Sequence, residues 1–315
     1  MHITLNIHHH TRDDLYPYAQ DLSERERISA QDFLDWIHDR ELFESFTGEA
    51  YAIRYNAYSC DTRTPELKER LDTYEKEIHP KLQELTDQLN RRCVDSPRFG
   101  QLPSDYGQRA KCIAMDIKLF KPENIPLFTQ DQELSHQYSK IKSEQTIEHD
   151  DRTQTLQQAA EYMKNKDRTV RKEVFDKICK TRAQDAEKTD QILDALIQLR
   201  TQIAHNAGYA NYRDYVFDAK HRFDYIPADC ERFHHTVEHV IKPLYGQLLE
   251  KRKSQIGVEK LTPYDLEVDP LGREPLPKFP NVNTMIEKTA QCLNKIDPEF
   301  GALLQKLKKE NNLDL

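Results

Sequence analysis

Apolar residues recur at intervals of three and four through most of this chain. Between Glu66 and Arg92 the series is Leu67, Leu71, Tyr74, Ile78, Leu82, Leu85 and Leu89. Such spacing puts one apolar stripe on one helix face, so the chain must build its core by packing helices. Eight glycines in 315 residues point the same way, because tight turns and bulges consume glycine. Pro80 stands inside the series, so a kink or two abutting helices is expected there. The stretch is too short for a dimeric coiled coil, and an intramolecular helical hairpin is expected.

The same periodicity returns in Ile192, Leu196, Leu199 and Ile203. Asn206-Ala207-Gly208 should end that helix, since glycine accepts the left-handed conformation. Asn211 can cap a short helix, Tyr212 to Ala219, and Pro227 suits the first turn of the next. Nearer the start, Arg12 to Glu26 reads as a helix. Ser29 caps another, with Asp32 completing a capping box, and Glu49 to Ser59 reads as a separate one. Its residues Tyr51, Tyr55 and Tyr58 are expected to bury their rings. Residues 95–107 form a loop, followed by helices at about 108–120 and 130–143. The sheet signal is Gln145 to His149 and Thr153 to Thr155 around Asp150-Asp151, a small β-hairpin that must lie against helices. A further helix runs from Thr155 to about Asn165, and Asp167 caps the long one after it. Gly257 stops the helix begun at Pro227. Residues 261–283 hold five prolines and should be an irregular, fixed segment before two closing helices, Thr284 to Asn294 and Pro298 to Glu310. Asn311-Asn312 can cap the last one.

A net charge of -8 argues against nucleic acid as a partner. No stretch approaches the ~20 apolar residues of a membrane helix. The start of the chain lacks the features of a signal peptide, and a cytoplasmic location is expected. The six cysteines are scattered without a Cys-x-x-Cys, which suits free thiols. His8-His9-His10 reads as a solvated leader.

The one local group with metal-ligand spacing is His235, Glu238 and His239. Histidines four apart lie on one helix face, and His-x-x-Glu-His is the order of the inverted zincins. A surface helix that happens to carry histidines explains the same residues. No Gly-x-Ser-x-Gly elbow, phosphate-cradling loop or dinucleotide fingerprint occurs.

Several runs resemble the oligoendopeptidase F family of zinc metallopeptidases. They are Arg200-Thr-Gln-Ile-Ala-His-Asn-Ala-Gly-Tyr209, Asn211-Tyr-Arg-Asp-Tyr215 and Arg222-Phe-Asp-Tyr225. Upstream, Glu148-His149-Asp150, Thr155 to Ala160 and Asp167 to Arg171 agree in order, as do Cys60-Asp61-Thr62 and Glu77 to Lys81. Downstream, so do Thr262 to Leu266, Val268-Asp269-Pro270 and Ile296 to Gly301. The resemblance spans about Leu22 to Leu315. It implies a mainly α fold, a multi-helix shell forming one lobe of a peptide channel, with the hairpin near 145–156. The divisions it implies are an N-terminal helical lobe (1–95), helices plus hairpin (96–190) and the first part of a peptidase domain (191–315). Candidate channel residues for short peptides are Tyr209, Tyr212, Arg222, Tyr225, Tyr264 and Asp265; Arg222 with Asp224, and Tyr264 with Asp265, could orient a peptide or simply brace loops.

The family's zinc motif, His-Glu-x-x-His, is absent from the 315 residues. In the family it lies beyond the equivalent of Asn312 to Leu315. The resemblance therefore implies an N-terminal portion with no catalytic residue and no zinc of its own. Its partner would be the C-terminal catalytic portion, and alone it should be inactive. The alternative is a non-catalytic helical module that binds peptides or a partner chain.

Overall fold

The computed structural model describes residues 12–26, 29–275, 279–310 and 312–313. His8-His9-His10, Pro277 and Asn311 lie outside the described residues. Helices make nearly all of the structure, with one small two-stranded sheet. Two compact units divide the chain. The first holds residues 1–157 and 177–248, the second 158–176 and 249–315.

In the first unit, α1 (Arg12–Glu24) leads to α2 (Ala30–Cys60). Ser29 caps α2 as expected: its hydroxyl accepts from the Asp32 backbone N–H, while the Asp32 carboxylate accepts from the Ser29 N–H. The two helices expected on either side of Gly48 are one helix of 31 residues. A single glycine costs a helix only about 1 kcal/mol, which the buried Phe43 and Ala50 on either side outweigh.

Beyond α2 come α3 (Pro65–Thr73) and α4 (His79–Val94), joined by a π-helical turn, Tyr74–Ile78. Pro80 explains that turn. It has no N–H to offer the carbonyl of Lys76, and the helix widens around the defect. The expected break is therefore a local widening. The same rule operates later: a second π turn, Val237–Ile241, is centred four residues before Pro243.

Two 3₁₀ turns fill the loop before α5 (Gly107–Leu119), and α6 (Ile125–Glu144) starts earlier than its periodicity suggests. The hairpin pairs β1 (Thr146–His149) with β2 (Arg152–Thr155), Thr146 opposite Thr155 and His149 opposite Arg152. Asp150 and Asp151 both have positive φ, 52° and 56°, as a two-residue hairpin turn of matching twist requires. Ile147 is buried, so one hairpin face packs inward. α7 (Leu156–Ala160) and α8 (Arg168–Gln184) follow, α8 begun by Asp167, whose carboxylate accepts from the Thr169 N–H.

α9 (Ala186–Asn206) ends at Gly208, whose φ of 84° lets Tyr209 N–H reach back to the Ala204 carbonyl. Asn211 then caps α10 (Tyr212–Ala219). Next come α11 (Pro227–Thr236), the second π turn and α12 (Lys242–Ile256), which passes into the second unit after Leu248 and which Gly257 closes at φ 74°.

Two clusters make this unit's core. One gathers Leu15, Leu22, Phe33, Trp36, Ile37, Leu89 and Ile113 from α1, α2, α4 and α5. The other joins Leu119, Ile203, Ala204, Ala207 and Tyr215. Asn124, fully buried, pins the second: its amide donates to the Ile203 carbonyl and its oxygen accepts from Asn206.

In the second unit, α13 (Val282–Ile296) and α14 (Pro298–Lys309) form a helical hairpin, capped by Asn281 and Asp297. The irregular segment before them is held by Asp265. No helix of the described residues is long and apolar enough to cross a membrane. All six cysteines are free.

Candidate functional site

Among the described residues, one group brings three metal-type donors together: His235, Glu238 and His239. Their ligand atoms lie within 4.8 Å of one another, and all three side chains are exposed. The His239 ring is turned by a 2.8 Å hydrogen bond between its Nδ1 and the His235 carbonyl. That fixes Nε2 as the free nitrogen. Two imidazoles and a carboxylate are a zinc-type donor set. They do not reproduce the His-Glu-x-x-His order, and they stand on an open helix face rather than at the floor of a cleft.

The same helix carries a second feature. Phe233, Val237, Val240, Ile241, Leu244 and Leu248 follow at spacings of three and four, so they share one face. All are exposed, Phe233 by 66% and Leu248 by 62%. An apolar stripe of this length is the mark of a docking face.

The aromatic turn before this helix assembles four of the expected channel residues in two local pairs. Tyr209 meets Tyr215 edge-on at 5.7 Å, and Tyr212 stacks on Tyr215 at 5.8 Å. The Tyr209 hydroxyl donates to Asp218, and Lys118 lies 5.0 Å above the ring. Burial raises the phenol pKa of all three tyrosines, that of Tyr215 to about 12, so they remain neutral donors. Arg222 forms the other pair, its guanidinium 5.8 Å from the ring of the exposed Tyr225 and 5.0 Å from Phe217.

Tyr264 and Asp265 belong to the second unit and are buried. The Asp265 Oδ1 accepts from Arg168 Nε at 3.0 Å and from Arg171 at 2.8 Å. Its Oδ2 accepts from Arg168, from the Thr262 hydroxyl and from the Thr262 N–H. Both oxygens are thus engaged by the protein itself. Arg168 lies 5.1 Å over the Tyr264 ring, and Arg171 donates to the Tyr264 carbonyl. In this geometry the pair braces the irregular segment. Burial alone would raise the Asp265 carboxyl pKa. The hydrogen bonds from Arg168, Thr262 and Arg171 outweigh it and hold the group well below the usual carboxylate range.

Sequence reasoning did not find a cavity in the first unit. It lies among α2, α4, α5, α6 and α10, is about 460 Å³ in volume, and has Asp87 and Gln132 in its wall. Its residues come from sequence positions as far apart as Glu44 and Ala219, so no local motif announces it.

Comparison with known families and structures agrees with this fold. A model of the peptidase M3 N-terminal domain matches residues 9–120, and a model of peptidase family M3 matches residues 161–296. Together they take in most of the chain: the chain belongs to peptidase family M3. Among solved structures, it is similar to a putative oligoendopeptidase F from Bacillus anthracis str. Ames, with 22% identity and a TM-score of 0.87. It is also similar to PZ peptidase A solved with an inhibitor, with 24% identity and a TM-score of 0.89. An oligoendopeptidase-F from Enterococcus faecium has a TM-score of 0.61 at 17% identity, over 93% of this chain and 58% of that one. The first two cover 97% and 98% of this chain, and this chain spans 57% and 55% of theirs. No curated protein matches in sequence.

Proposed function

We propose that this chain is the front portion of a zinc metallopeptidase that hydrolyses short peptides. The zinc ligands and general base would come from elsewhere in the whole protein. The observation that carries this reading is the bare apolar stripe from Phe233 to Leu248, in a family member that spans little more than half of its structural relatives. Six exposed apolar side chains on one helix face are costly to leave in water, and a catalytic portion seated on them removes that cost. When bound, the metal would activate a water for attack on a peptide carbonyl. This chain's contribution is the wall: Arg222 and Tyr225 offer a cation and an aromatic face, suited to a peptide carbonyl and an apolar side chain. Tyr209 and Tyr212 would add two neutral phenols to the same wall.

Ile241→Asp with Leu244→Asp tests the docking face. Mixed with the catalytic portion of the whole protein, the unaltered chain should restore chelator-sensitive cleavage of a fluorogenic peptide. The double variant should restore less than roughly a tenth of it, because two carboxylates in an apolar interface lose several kcal/mol. Equal restoration by both chains would remove the stripe from the account. A chain that binds peptide tightly yet restores no cleavage would favour the non-catalytic binding module instead.

A further inference from the structure

The cavity in the first unit has walls of aromatic rings, Tyr51, Tyr74, Phe120, Phe128 and Tyr215. Gly48 of α2 lies at its edge, and a Cβ placed there would meet no atom within 4 Å. Two buried oxygens in the wall have no hydrogen-bond partner in the protein, Asp87 Oδ1 and Gln132 Oε1. Asp87 is only 7% exposed, and its other oxygen accepts from Arg91 Nε at 2.7 Å. A buried carboxylate oxygen left unpaired is unfavourable, so the space beside it calls for a partner. One water needs only about 10–15 Å³, so this space is far larger than satisfying one oxygen demands. It falls in the range of small-molecule sites.

The chemistry of the wall selects the ligand. An amide such as Gln132 can turn either end to a guest, but an ionised carboxylate only accepts. Asp87 therefore calls for a donor. The other carboxylates of the wall are already engaged, Glu44 by Arg40 and Arg109, Asp116 by His221. Lys121 is the one lysine or arginine in the wall, and burial lowers the pKa of the His79 imidazole, keeping it neutral. The one carboxylate oxygen left open, beside five aromatic rings, suits a cation rather than an anion.

We propose that this cavity is a binding site for a small organic ammonium ion. Its N–H groups would meet Asp87 Oδ1 and the Gln132 amide, and its apolar body would lie against the tyrosine and phenylalanine rings. The proposal does not depend on peptide hydrolysis, since its readout is binding alone.

Calorimetric titration of the 315-residue chain with phenethylamine, and with phenethyl alcohol as its neutral counterpart, tests it at pH 7. Phenethylamine should bind at least roughly tenfold more tightly than the alcohol, the margin of a charge-assisted hydrogen bond. Asp87→Asn should erase that margin. Gly48→Leu, which adds bulk at the cavity edge and suits a helix, should weaken binding by a similar factor. Thermal unfolding of each variant checks that it is folded. The proposal is overturned if the amine fails to bind at about 10 mM, if the alcohol binds as well, or if neither substitution changes the affinity.

Discussion

Replacing Asp265 by alanine should destabilise the second unit by about 3–5 kcal/mol, the cost of leaving a buried charge without its partner. Arg171 decides the size of the effect. It is 2% exposed, and Asp265 lies 2.8 Å from it. Its other hydrogen bonds go to the carbonyls of Asn165, Lys166 and Tyr264, which are neutral. Arg168 matters less, because its side chain is 43% exposed and water can replace the carboxylate. Denaturant unfolding followed by circular dichroism should show the second unit melting early in Asp265→Ala. An unchanged profile would mean the brace is idle. The acid response has a definite sign. Above about pH 4, where an unfolded carboxyl is already ionised, the full contribution is present. Below that the unfolded chain takes up a proton that native Asp265 refuses, and stability falls. The gap between the natural chain and Asp265→Asn should therefore narrow as the pH is lowered from 6 towards 3.

Trp36→Ala should cost about 3–5 kcal/mol in the first unit, from lost burial and the cavity left behind. Trp36 has no exposed surface, and it sits in the core shared by α1, α2, α4 and α5. Its indole N–H donates to the Leu22 carbonyl at 2.8 Å, tying α2 to the end of α1. Phe33 stacks at 6.1 Å and the Arg40 guanidinium lies 6.0 Å from the ring. Trp36→Phe keeps most of the volume but leaves that carbonyl without its donor, so it should lose roughly half as much. Equal losses for the two variants would show that the hydrogen bond, not the packing, is what counts. Equilibrium unfolding by urea separates the two outcomes.

Local rules in this chain are readable from sequence because their causes are local. Ser29 with Asp32, Asn211 at the start of α10, Gly208, Gly257 and the Asp150-Asp151 turn each act within a few residues. The lobe's helical character follows from the three-and-four spacing for the same reason. What could not be read has distant causes. Gly48 does not divide α2, because packing on both sides outweighs its propensity. The π turns needed the rule that a proline disturbs the carbonyl four residues earlier, visible only once both turns are compared. Asp265 meets Arg168 and Arg171 across more than ninety residues, so its partners are invisible to any motif. The sequence leaves Tyr264 and Asp265 open between orienting a peptide and bracing a loop; the partners Arg168 and Arg171 favour the brace. The histidine trio is the reverse case. Its spacing was plain in the sequence, and the structure brings the three ligand atoms together, but on an exposed face.

The proposal at the centre of this account is that hydrolysis needs catalytic residues from outside these 315. The direct measurement is cleavage of fluorogenic peptides by the purified 315-residue chain with zinc added, with and without a chelator, alongside His235→Ala. The account predicts no cleavage above background in any arm. Chelator-sensitive cleavage that His235→Ala abolishes would contradict it, and would make His235, Glu238 and His239 the catalytic centre.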